Sequence, residues 1–174
     1  MKSTLWPRLD HLARHLTPFA ATALLVVLGA VTLPIPGYVR AAPVLPLIAV
    51  YHWAIHRPDL LPAWAVFSIG LLQDAISGTP FGVYAVVFLS VWGLVVSQRP
   101  FFAGKPFALV WLGFALIGTG AGIEAWALVS AYHLTLVDPQ AVLFQAVATI
   151  GLFPPLAAIF LLWQRRALIP AEDA

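Results

Sequence analysis

Hydrophobic runs dominate the chain and break near residues 36–40, 56–59, 74–80, 98–106 and 134–140, leaving six apolar segments. These are Pro18–Leu33, Ala41–Ile55, Leu60–Ile76, Val83–Gln98, Phe107–Leu136 and Ala141–Trp163. The pattern predicts helices in a bilayer, where each segment must satisfy its own backbone polar groups. The second and third segments, 15 and 17 residues long, fall short of the roughly 20 residues of a straight crossing. Pro43 and Pro46 also remove two backbone donors at the start of the second. The pair reads either as two short tilted helices joined by the turn His56-Arg57-Pro58-Asp59 or as a re-entrant hairpin. The fifth segment would reach about 45 Å at about 1.5 Å per residue, so it is tilted or its outer end projects. In the lead, residues 1–15, Leu5, Leu9 and Leu12 recur at helical spacing beside Arg8 and Arg14. With Leu16 they predict a small interfacial helix. Pro18–Leu33 is expected to stay uncleaved, since no small-x-small site follows it.

The nine Lys and Arg residues set the orientation. With the N-terminus inside, Lys2, Arg8, Arg14, Arg57, Arg99, Lys105, Arg165 and Arg166 are cytoplasmic and only Arg40 faces out. Eight against one is a strong positive-inside bias, because flanking cations resist translocation. The same rule favours two crossings for the short pair, since Arg57 then lies inside. The expected fold is an all-α integral membrane protein, a six-transmembrane-helix bundle with both termini in the cytoplasm. It forms one transmembrane domain: lead 1–15, bundle 16–166, cytoplasmic tail 167–174. Composition agrees, with 61% apolar and only 9% charged residues, against about 25% charged in soluble domains. The net charge of +2 is spread over the cytoplasmic rims, so no nucleic-acid partner is expected. The chain has no cysteine, which excludes disulfides, thiolate catalysis and cysteine metal sites.

Charge inside the membrane is costly, about 2.5–3.5 kcal/mol at the centre of a helix on insertion scales, so the two acids within spans stand out. Glu124 lies deep in the fifth segment. It shares a face with Gly120, while Gly118 and Gly122 form a G-x-x-x-G on the adjacent strip. The functional reading is a proton or substrate site. The structural reading, which is favoured, is a neutral carboxyl that locks helix packing or faces a lateral partner. Asp74 ends the third segment in GLLQDAISGTPFG. There Asp74 and Ser77 can cap free amides, Gly78 can take positive φ, and Pro80 sets the path into the fourth span. Gly82 is expected to allow close helix approach. The pairs His11/His15 and His52/His56 have metal-site spacing but lack a third ligand, and interfacial anchoring accounts for them. No HExxH, G-x-S-x-G, Walker loop or dinucleotide fingerprint is present. An enzyme, a cofactor and a metal are therefore not expected.

The run from Pro46 through Tyr51, Trp53, Arg57 and Pro58 carries a proline-bearing span that ends in Y-x-W-x-x-x-R-P. Gly70-Leu-Leu-Gln-Asp74 and Gly78-Thr-Pro80-Phe-Gly82 follow. Over these 37 residues the chain resembles the rod shape-determining protein MreD family. The resemblance implies a non-catalytic subunit of the elongasome, the machine that builds lateral cell wall. It also implies contact with the bitopic protein MreC and links to the MreB filament, the RodA glycosyltransferase and its penicillin-binding transpeptidase. MreD proteins also resemble the six-helix substrate-binding subunits of vitamin energy-coupling transporters, so substrate capture is the alternative. Against it, the first span lacks the A-x-x-x-A such subunits use to dock. Whether a membrane lipid is bound stays open. The sharpest expectation concerns the turn after Asp74: side-chain-to-backbone hydrogen bonds preorganise it against a partner's span.

Overall fold

The computed structural model describes residues 5–30, 42–102 and 104–167. The described residues form seven helices and no strands. They are α1 Leu5–Gly29, α2 Leu45–His56, α3 Ala63–Ser77, α4 Val83–Ser97, α5 Arg99–Phe102, α6 Phe107–His133 and α7 Pro139–Ala167.

Several boundaries differ from the hydropathy pattern, and each difference has a local cause. The lead and first segment form one helix, α1, running through Pro18. An interior proline removes one intrahelical bond, a loss that membrane helices tolerate. The end of that segment, 31–33, lies outside the described residues. Within the second segment, the helix begins at Leu45 rather than Ala41, with Pro46 in its first turn, where no backbone donor is needed. Residues 42–44 are held from α7 instead: Thr149 Oγ1 accepts from Val44 N at 3.0 Å, and Gln145 Nε2 donates to Ala42 O at 3.0 Å. α3 starts at Ala63, not Leu60, because Pro62 is its extended N-cap residue and proline disfavours helix in the residue before it. α6 stops at His133, short of Leu136, since Leu134 turns left-handed at φ 53°. Trp126 Nε1 then bonds Val137 O at 2.9 Å. α7 begins two residues early, at Pro139. Asp138 Oδ1 accepts from Gln140 N at 2.9 Å, an N-cap with proline at the first helical position. The short α5 lies inside a segment read as loop.

α2 is the axis of the bundle. Residues 46 to 55 are all buried, with α1, α4, α6 and α7 packed around them. That explains why α2 is largely apolar all round, with His52 buried among the apolar residues. Tyr51 organises the centre. Its ring meets Phe102, Phe114 and Phe153 edge-on, with centroids 5.1 to 6.1 Å apart, a favourable aromatic geometry. Its hydroxyl donates to Val110 O at 2.9 Å.

The outer faces of α6 and α7 expose Leu112, Leu116, Ile123, Leu143, Val147, Ile159 and Leu162. Contiguous apolar surface of this kind marks membrane or protein contact. α6 and Pro139–Trp163 of α7 are long and apolar enough to cross a membrane; Thr17–Gly29, α3 and α4 are shorter apolar helices.

Candidate functional site

α3 and α4 share the most extensive helix–helix contact among the described residues, and Gly70 leaves room in it for the α4 backbone. A Cβ there would run into Ala85 Cα and lie 2.6 Å from Ala85 N and 2.8 Å from Tyr84 O. One turn further along α3, Asp74 is 1% exposed and reaches the start of α4. Its Oδ1 accepts from Thr79 Oγ1 at 2.8 Å and from Tyr84 N at 2.9 Å, while Oδ2 accepts from Gly82 N at 2.9 Å. Gly82, the N-cap residue of α4, has no side chain to cap with, so α3 supplies the carboxylate from outside the helix. A negative group at a helix N-terminus is also electrostatically favoured.

Two glycines make the geometry possible. Gly78 ends α3 at φ 68° and Gly82 sits at φ 101°, conformations that side chains with a Cβ resist. At Gly82 nothing lies within 4 Å of a built Cβ. The close helix approach expected at Gly82 therefore occurs at Gly70, and Gly82 is needed for its backbone angle. Ser77 is not a cap either; its Oγ accepts from Gln73 Nε2 at 2.6 Å. Pro80 lies in the turn, with its carbonyl accepting from Val83 N at 3.3 Å. At the apex stands Phe81, 78% exposed between two residues tied to the same carboxylate.

The other motif residues lie elsewhere. Pro46, Tyr51 and Trp53 belong to the buried α2 core. Arg57 and Pro58 are in the turn that follows, where Arg57 meets Asp59 at 3.4 Å. That turn is at the opposite end of α3 from Asp74. Arg99, which carried only a topological signal in the sequence, bonds the end of α2: Nε to Ile55 O at 3.0 Å and Nη2 to His56 O at 3.3 Å. A cation at helix-terminal carbonyls suits the helix dipole.

Glu124 bonds in a direction its glycine strip did not suggest. Gly122 faces α7, where a Cβ would meet Val142 and Ala146 at 3.5 and 3.9 Å. Gly118 is buried, and a Cβ there would meet only Phe114 of its own helix. Glu124 turns to α4 instead, its Oε1 accepting from Ser90 Oγ at 2.8 Å.

A helical bundle with apolar flanks and a carboxylate-pinned turn defines a small membrane protein built around helix packing. The family model described as rod shape-determining protein MreD matches residues 11–165, and the chain belongs to that family. Membership assigns it to rod-shape determination at the bacterial inner membrane. No curated protein and no solved structure matches the chain.

Proposed function

We propose that this chain is a non-catalytic scaffold subunit of the cell-wall elongation machinery. It crosses the inner membrane six times, keeps both ends in the cytoplasm, and uses the turn after Asp74 to hold an MreC-like bitopic partner. RodA, its transpeptidase and the MreB filament are further partners of the assembly. The observation that carries this reading is the Asp74 carboxylate. Three hydrogen bonds converge on it, and the turn they fix presents an exposed Phe81. A rigid aromatic anchor docks with little loss of side-chain entropy, as binding hot spots do.

The test is capture of MreC in detergent, normalised to membrane level, with cell shape as a second readout. Phe81→Ser removes an exposed side chain and leaves the fold intact, so it is expected to lose capture and round the cells. Asp74→Ala is the harsher variant. It strands two amides, each costing about 1–3 kcal/mol if left unsatisfied, more than the roughly 0.5–2 kcal/mol of a single lost cap. Wild-type capture and rod shape with Phe81→Ser would remove the turn from the docking account.

Substrate capture has one supporting observation. A pocket of about 500 Å³ opens among the adjoining ends of α1, α2, α3, α4 and α7, and Gln73, Ser77, Thr79, Tyr84 and Gln145 contribute polar groups to it. A small ligand retained through purification, and lost on Gln145→Leu, would favour that reading.

A further inference from the structure

We propose that one membrane-crossing helix, carrying a hydrogen-bond donor at mid-depth, seats on the outward strip of α4 over Glu124. The proposal rests on the scaffold reading and adds a second contact for the same bitopic partner, within the membrane.

The Glu124 carboxyl is half-buried, and Ser90, its donor, is exposed. Among the described residues nothing donates to the other carboxyl oxygen. Ser90 is at the middle of α4, so this polar pair sits at mid-depth on a lateral surface. A lipid chain offers no hydrogen bond to such a group, and intramembrane acids therefore face protein or water.

The surrounding surface is shaped for a helix. Val86, Ser90, Gly93 and Ser97 are exposed and follow one face of α4 at spacings of four, three and four. A Cβ built at Gly93 or at Gly120 meets nothing within 4 Å, so a neighbouring backbone can come close there. Its first residue, Val86, lies one helical turn after Gly82 of the Phe81 turn. A juxtamembrane segment seated on that turn leads directly into a helix running down α4, a path of about 22 Å over its 15 residues. On α7 the exposed Leu143, Val147, Ile159 and Leu162 form an apolar surface that suits lipid.

The chain has no cysteine, so an introduced thiol is unique. Gly93→Cys and, as a control on α7, Ile159→Cys are each co-expressed with MreC bearing single cysteines scanned along its span, and the membranes are oxidised. Position 93 is expected to cross-link to MreC at one register and position 159 at none. In the Gly93→Cys chain, Glu124→Gln should keep the yield and Glu124→Leu should lower it about threefold, the typical worth of one interhelical hydrogen bond. Cross-linking from 159 instead, or the thiol at position 93 pairing with a second copy of this chain, would overturn the proposal. So would MreC co-purifying without a cross-link at 93. Failure of MreC to co-purify with the wild-type chain would overturn the scaffold reading itself.

Discussion

Gly70→Ala is the most direct probe of how the hairpin is built. The added Cβ lies 2.6 Å from Ala85 N and 2.8 Å from Tyr84 O, both backbone atoms that no rotamer change can move. Ordinary contact begins near 3.4 Å, so α3 and α4 have to part by at least about 0.8 Å at this level. The damage reaches the turn because Tyr84, next to Ala85, gives its amide to Asp74. Stretching that 2.9 Å bond by the same amount takes it to about 3.7 Å, beyond the N–H···O range. Overpacking typically costs about 1–3 kcal/mol, and the strained bond puts Gly70→Ala in the upper half of that range. Thermal unfolding in detergent is the assay, with Gly93→Ala as the matched control, since a Cβ there meets nothing. Gly70→Ala should unfold at clearly lower temperature and lose MreC capture, while Gly93→Ala, a control for unfolding temperature alone, should match or slightly exceed wild type in stability through better helix propensity. Equal stability of the two variants would refute the argument that the α3–α4 contact governs the turn.

Tyr51→Phe keeps the aromatic cluster and removes only the donor to Val110 O; that carbonyl stays within the α6 helical ladder, so the loss is one buried hydrogen bond, about 1 kcal/mol, read as a lower unfolding temperature. Gly82→Val forces a β-branched residue to φ 101°, so it should weaken MreC capture, whereas Gly82→Asn, which tolerates positive φ better, should retain most of it. A reporter active only in the periplasm should be silent when fused after Gly104 or Ala174 and active near Gly37, Thr79 or Pro139. Activity after Gly104 would refute the six-span topology.

Helical class was legible in the sequence because it depends on long apolar runs, and these survive errors of a few residues at each end. Helix ends were legible only where the deciding residue was local. Pro62 and Asp138 could have been read as start signals for α3 and α7, since an extended residue before the helix and an Asp-Pro pair act within one turn. The left-handed Leu134 could not, because nothing in its side chain favours φ 53°. Its conformation goes with Ser130 O accepting from Thr135 N at 3.3 Å, Ser130 Oγ accepting from Val137 N at 3.3 Å, and Trp126 bonding Val137.

The turn after Asp74 shows the same division between local and non-local signals. An acid followed by two spaced glycines announces a capped turn, and hydrogen bonds from five to ten residues away still fall within a readable window. Assigning the glycines their tasks was a different problem. Gly70, Gly78 and Gly82 look alike in sequence, yet one is small because a backbone fifteen residues later presses on it, and the other two are glycine for their φ angles. Glu124 lay further still beyond a linear reading, since its donor is 34 residues away. Gly122 on the adjacent strip faces α7, and only the packing of α4 beside α6 gives Glu124 its donor, Ser90. A residue's type and spacing thus constrain which groups need partners, while the tertiary arrangement decides which helix supplies them. In a membrane that decision weighs more than in water, because a carboxyl left short of partners has no solvent to fall back on.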